Sequence, residues 1–151
     1  MAKQTHTSIV ILVADDDAED RMLVNDALEE SRLANMVHFV EDGEELMDYL
    51  RNRGKYADKT KYPSPGLILL DLNMPRKDGR EAVKEIKADP KLRIIPIVVL
   101  TTSKAEEDII KTYDLGVSSF ITKPVTFSSM VEIMKTLGKY WFEIVELPPK
   151  R

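Results

Sequence analysis

The chain has 151 residues, no cysteine, 43% hydrophobic and 32% charged residues, and a net charge of −4. That profile is one ordinary globular domain, able to bury about 70% of the surface its unfolded chain exposes, and it excludes disulfide staples, thiol catalysis and thiolate-bound metal. The acidic balance argues against nonspecific nucleic-acid binding, which rests on phosphate neutralisation by Lys and Arg. The longest apolar run, Ile94–Leu100, is broken by Pro96 and is too short to cross a bilayer. The polar start Met1–Ser8 does not read as a signal peptide, so the cytoplasm is the expected compartment.

The apolar run Ile9–Ala14 reads as a first strand and ends in Asp15-Asp16-Asp17. Asp17, ahead of Ala18-Glu19-Asp20 and apolar Met22, Leu23, Ala27 and Leu28, is the expected cap of a first helix. Met36–Val40 forms a second strand, and Asp42 opens a helix carrying Leu46, Met47 and Leu50. Arg53–Gly66 is a long polar connection with Gly54, Pro63 and Pro65, longer than usual between a helix and a strand. Its Lys55, Lys59 and Lys61 read as a solvated loop.

Leu67–Leu70 is a third strand running into Asp71. The helix after Gly79 buries Ala82, Val83 and Ile86 and stops before Pro90. Ile94–Leu100, followed by Thr101-Thr102, is a fourth strand. Ser103-Lys104-Ala105-Glu106 fits a capping box for a fourth helix with Ile109, Ile110 and Tyr113 as its buried stripe. Val117–Ile121 forms a fifth strand leading to Thr122-Lys123-Pro124. The last helix places Met130, Ile133, Met134, Leu137, Trp141, Ile144 and Val145 at helical spacing and ends at Pro148-Pro149.

Strands alternating with helices predict an α/β fold with a parallel sheet. The continuously apolar first, third and fourth strands suit covered positions, and the mixed second and fifth suit edges. Ligands of such sheets bind beyond the carboxyl ends of the strands. If the first and third strands are neighbours, Asp15, Asp16 and Asp71 converge there. Packed carboxylates repel unless a cation intervenes, and oxygen donors suit a hard divalent ion such as Mg²⁺. A carboxylate beside that ion is a nucleophile toward phosphorus, in a reaction that needs positioning and charge neutralisation. Lys123 and Thr101 offer a cation and a hydroxyl. Asp15 and Asp16 are also residue types that cap helices, a task Asp17 already fills. His6 and His38 have no recognisable partners and read as structural or solvated.

Ile11-Leu12-Val13-Ala14-Asp15-Asp16-Asp17, Leu69-Leu70-Asp71-Leu72-Asn73-Met74-Pro75 with Asp78-Gly79, Pro96–Thr102 and Phe120-Ile121-Thr122-Lys123-Pro124 together resemble the motifs of two-component response-regulator receiver domains, over about Ser8 to Phe142. The resemblance implies a flavodoxin-like, doubly wound five-stranded parallel sheet in the order 2-1-3-4-5 with five helices. It implies one receiver domain with a C-terminal extension of the last helix to about Leu147 and no output domain. Asp71 would be the phosphoacceptor. Asp16, Asp15 (through metal-bound water), Asp71 and the main-chain carbonyl of Asn73 would hold Mg²⁺. Thr101 and Lys123 would contact the phosphoryl group, Phe120 would be the aromatic switch that answers Thr101, and the Lys123–Pro124 bond would be cis.

Tyr62-Pro63-Ser64-Pro65 and the tail Tyr140–Pro149 narrow the resemblance to stand-alone regulators paired with cyanobacterial phytochromes. The implied partner is a sensor histidine kinase of the phytochrome type. Consecutive Tyr140, Trp141 and Phe142 cannot share one helix face. Some of that surface needs another partner, for which a homodimer is the simplest, and the resemblance implies one through the fourth helix, fifth strand, fifth helix and tail.

Two other functions compete. Phosphatases of the haloacid dehalogenase class carry a second Asp two residues after the nucleophile as general acid. This chain has Asn73 there, so an enzyme is not expected. A receiver-like scaffold that works without phosphorylation usually lacks part of the acidic pocket or the lysine, and this sequence keeps both.

Overall fold

Strand and helix runs pack because each buries one apolar side, and here every strand feeds a helix that returns to the sheet. In the computed structural model, which describes residues 10–30 and 36–139, the order is β1 (Val10–Ala14), α1 (Ala18–Glu30), β2 (Met36–Val40), α2 (Gly43–Leu50), a short 3-10 turn (Gly54–Tyr56), β3 (Leu67–Leu70), α3 (Gly79–Ala88), β4 (Ile97–Thr101), α4 (Glu106–Leu115), β5 (Ser119–Thr122) and α5 (Phe127–Gly138). The strands form one parallel sheet in the order β2-β1-β3-β4-β5. The apolar β1, β3 and β4 are buried throughout, and the mixed β2 and β5 are the edges.

Alternate residues along each strand point to opposite faces, and the core divides accordingly. Leu12, Ile68, Leu70, Ile97 and Val99 meet Leu46, Met47, Ala82, Val83 and Ile86 from α2 and α3. Ile11, Val13, Leu69, Val98 and Leu100 meet Val24, Ala27, Leu28, Met130 and Met134 from α1 and α5. The connections therefore leave to opposite sides of the sheet between β1 and β3, and the carboxyl ends of those two strands form the crevice of a doubly wound sheet.

Asp17 caps α1 by accepting from Glu19 and Asp20 N–H groups at 2.9 and 3.2 Å. Asp42 caps α2 through the Glu45 N–H. α3 opens on a reciprocal box between Asp78 and Glu81. The connection after α2 is tied down rather than loose. The Asn52 amide, in a left-handed conformation at φ 51°, donates to the Tyr56 and Tyr62 carbonyls. The rings of Tyr49, Tyr56 and Tyr62 lie 4.9–5.8 Å apart, and the Tyr49 hydroxyl donates to the Pro63 carbonyl. His38 has partners after all: its ring packs against Tyr49 and Tyr62.

Several boundaries differ from expectation. β4 begins at Ile97, because Leu92–Ile95 folds into a turn that buries Leu92 and Ile95 before Pro96. β5 begins at Ser119, because Gly116 at φ 105° closes α4, with the Gly116 and Val117 N–H groups both donating to the Thr112 carbonyl. The expected capping box at Ser103 does not form. α4 starts at Glu106 with no side-chain cap, and the Ser103 hydroxyl donates instead to Asp108. The inner face of α4 is Asp108 and Thr112, while Ile110 and Tyr113 are 54% and 46% exposed. The apolar tail from Tyr140 lies outside the described residues.

Arg80 on α3 grips Asp108 with two parallel hydrogen bonds of 2.7 and 2.6 Å. These bonds, opposed by burial and helped by Ser103, pull the Asp108 pKa from 3.8 down to about 2. A carboxyl lowered in this way contributes stability that is complete above about pH 5 and is lost as the pH falls through its folded pKa. Urea denaturation between pH 5 and 2 should show a steeper acid loss for the wild type than for Asp108→Asn. Equal slopes would mean that the clamp adds nothing.

Candidate functional site

Four strand ends deliver the site. β1 runs straight into Asp15, whose N–H donates to the Val40 carbonyl of β2 at 3.0 Å. β3 runs into Asp71, whose N–H donates to the Ala14 carbonyl of β1 at 2.9 Å. Both carboxyls are thus fixed by sheet hydrogen bonds just beyond the last paired residues. Asp15 and Asp71 are buried, while Asp16 is exposed at the mouth. One carboxylate oxygen from each of Asp15, Asp16 and Asp71 lies within 4.8 Å of the others. This oxygen-only donor set, open at Asp16, fits a divalent cation.

The Asp71 carboxylate is held from several directions. Oδ1 accepts from the Thr101 hydroxyl at 2.7 Å and from the Asn73 N–H at 3.1 Å. Oδ2 accepts from the Lys123 ammonium at 3.0 Å. Thr101 is the fully buried last residue of β4. The Lys123 N–H donates to the Thr101 carbonyl at 2.8 Å, so β4 and β5 set these two side chains together. Every peptide bond among the described residues is trans, including Lys123–Pro124, where a cis bond was expected. Trans is the commoner form of an X–Pro bond, and the ammonium reaches the carboxylates from it.

Lys123 Nζ also donates to Asp15 Oδ2 and Asp20 Oδ2, each at 2.7 Å. Its side chain is only 6% exposed. Burial works against the ammonium, but the hydrogen bonds to Asp15, Asp20 and Asp71 outweigh it and hold the lysine above its usual pKa. For Asp15, burial outweighs the help of Lys123 and raises the carboxyl above its usual value. The cluster is short of positive charge.

Phe120 is half-buried against the α2–α3 side of the core, and its N–H donates to the Tyr113 hydroxyl of α4 at 3.0 Å. Asp15, Asp16, Asp71, Asn73, Thr101 and Lys123 meet at one place, with Phe120 set apart on β5. Sequence reasoning missed Asp20 and Arg21, whose guanidinium donates to the Asp15 carbonyl at 2.8 Å. In a first helical turn an acidic residue looks like a dipole partner, and nothing local points to a lysine 103 positions away.

Residues 11–135 match the family model of the response regulator receiver domain. Response regulator Rcp1 of Synechocystis sp. is 38% identical over 148 residues, 98% of this chain and 99% of that protein. The phosphorylated cyanobacterial phytochrome response regulator RcpA has a similar structure, with a TM-score of 0.87 and 43% identity over 95% of this chain and 100% of that one. The Mn²⁺-bound form of Rcp1 gives a TM-score of 0.84 and 40% identity, covering 93% and 99%.

Lys123→Met should leave Asp15 and Asp71 facing one another without a cation. Removing one partner of a buried ion pair typically costs about 3–5 kcal/mol, read here as a lower urea midpoint in chelator. Added Mg²⁺ should recover more stability in the variant than in the wild type, because it supplies the missing charge. Unchanged stability in chelator would refute this account of the cluster.

Proposed function

This chain belongs to the response regulator receiver domain family, and we propose that it is a phosphorylation switch that takes a phosphoryl group from a sensor histidine kinase onto Asp71. The carrying observation is the setting of Asp71: a buried carboxylate held by a hydroxyl and an ammonium, beside Asp15 and Asp16. An Asp71 oxygen attacks the phosphorus of the kinase phosphohistidine, the P–N bond breaks with its electron pair going to the imidazole, and an acyl phosphate remains on Asp71. Thr101 and Lys123 donate to the phosphoryl oxygens, where charge neutralisation matters most. Asp16, Asp71 and the Asn73 carbonyl would hold Mg²⁺, with Asp15 beside them, and the ion would supply charge neutralisation for the transferring group.

Asn73 stands where a hydrolase needs an acid, so the chain serves only its own phosphorylation and dephosphorylation. Phosphorylation acts as a population shift: the new charge draws Thr101 and Lys123 inward, and Phe120 with the α4–β5–α5 face repacks. The similarity to the cyanobacterial phytochrome response regulator RcpA supports a phytochrome as the kinase and a cytoplasmic regulator. No described helix is long and apolar enough to cross a membrane. Exposed Met22 on α1, Val125 in the β5–α5 connection and Phe127 at the start of α5 flank the site and offer the kinase an apolar landing. A second copy of the chain covers the exposed Ile110 and Tyr113 of α4, together with the tail, and the signal passes on through altered protein contacts.

Acetyl phosphate with Mg²⁺ should add one phosphoryl group by intact mass, and neither Asp71→Asn nor a chelated sample should gain it. No adduct, together with no binding of beryllofluoride, would leave a phosphorylation-independent scaffold as the better reading. For the dimer, sedimentation velocity should show the wild type as two copies and Ile110→Asp as one. A wild-type monomer with and without beryllofluoride would remove that interface.

A further inference from the structure

Among the described residues, Asp20 is the one carboxylate on the Lys123 ammonium that lies outside the trio suited to a metal ion. It sits in the first turn of α1, where its N–H donates to the capping Asp17. Its side chain does not turn back to the cap but reaches Lys123 Nζ at 2.7 Å. It is 32% exposed, against 3% and 7% for Asp15 and Asp71. α1 is anchored by Val24, Ala27 and Leu28 against Met130, Val131 and Met134 of α5. The Asp20 carboxylate is therefore carried on a fixed element.

An ammonium has three N–H donors, and here three carboxylates take them. The Asp15 and Asp71 carboxylates that accept two of these bonds also supply oxygens to the metal-ready trio. A divalent ion placed among them repels the ammonium, so loading the site loosens those two bonds and leaves the third. Resting on the phosphoacceptor reading above, we propose that Asp20 is a positioning residue, the seat that keeps the Lys123 ammonium at the pocket when metal and phosphoryl group take over Asp15 and Asp71. Without it, a long lysine side chain regains its rotamer freedom, and the freed donors are no longer aimed at the phosphoryl oxygens. The same seat eases metal entry, because the displaced ammonium keeps a charged partner.

The experiment compares wild type, Asp20→Asn and Asp20→Glu, with Asp20→Asn also placed in a Lys123→Met background. Mg²⁺ affinity is measured by titration calorimetry, and the initial rate of phosphorylation by acetyl phosphate is measured at saturating Mg²⁺. Loss of one charge-assisted hydrogen bond should slow phosphorylation about tenfold in Asp20→Asn and weaken Mg²⁺ binding, with Asp20→Glu restoring much of both. In the Lys123→Met background the same substitution should cost nothing further in rate, the non-additivity of residues acting through one contact. A role limited to the helix dipole would move thermal stability alone.

Wild-type rates and Mg²⁺ affinity in Asp20→Asn, faster phosphorylation, or an equal loss in both backgrounds would overturn the proposal. A wild type that binds Mg²⁺ but accepts no phosphoryl group would instead defeat the phosphoacceptor reading. The calorimetric comparison of the two backgrounds still decides whether Asp20 seats Lys123.

Discussion

Burying carboxylates side by side is costly unless a cation stands among them, and at the carboxyl edge of this sheet that cation is the Lys123 ammonium. It arrives from β5, an edge strand, while Asp15 comes from β1 and Asp71 from β3. The sheet order brings these distant parts of the chain together: β3 pairs with β1 on one side and β4 on the other, and the Lys123 N–H is tied to the Thr101 carbonyl at the end of β4. A single register slip would turn Asp71 to the other face of the sheet and empty the cluster. The apolar interior fixes the register on both faces, and the register fixes the charges.

The loop after Asp71 shows the same dependence in the backbone. Gly79 opens α3 directly under the strand end, and a Cβ there would collide with the Asp71 carbonyl oxygen and Leu72 Cα. Gly43, opening α2, would collide with the Lys77 carbonyl, which instead accepts the Gly43 N–H at 2.9 Å. Two helix starts therefore press on the Asp71–Asp78 segment, and only glycine lets them approach that closely. The catalytic-looking acids of the sequence are held where they are by residues with no chemistry of their own.

Much of this could be read from residue order alone. The runs Met36–Val40 and Leu67–Leu70 are the observed β2 and β3, because apolar continuity and alternation are direct consequences of burial on two faces or one. The meeting of Asp15, Asp16, Asp71, Thr101 and Lys123 followed from the rule that ligands gather at strand carboxyl ends. What stayed hidden depends on partners far apart in the chain. Ser103 has the local pattern of a cap, yet Asp108 and Arg80 offer its hydroxyl and α4 a stronger, charge-assisted arrangement. Ile110 and Tyr113 have the spacing of a buried stripe, yet the helix is rotated to present Asp108 and Thr112 inward. The tyrosines of the 53–66 connection looked like loop residues until Tyr49 gave them a surface to pack on.

The way α4 is attached bears on how the site can be felt elsewhere. Apolar burial is non-directional and changes gradually with displacement, whereas hydrogen bonds are lost over a fraction of an ångström. The inner side of α4 relies on the second kind. Asp108 meets Arg80 and Ser103 there, while Tyr113, on the exposed side, accepts the Phe120 N–H of β5. Ser103 donates its N–H to the Thr101 hydroxyl at 3.4 Å, and that hydroxyl donates to Asp71 at 2.7 Å. A continuous set of polar contacts thus runs from the Asp71 carboxylate to the helix whose outer face is apolar and exposed. If the Thr101 hydroxyl turned toward a phosphoryl oxygen, the weakest of these contacts, between Thr101 and Ser103, would be the first to change. A helix seated on an apolar stripe would have ignored so small a movement; one seated on Asp108 is placed to answer it.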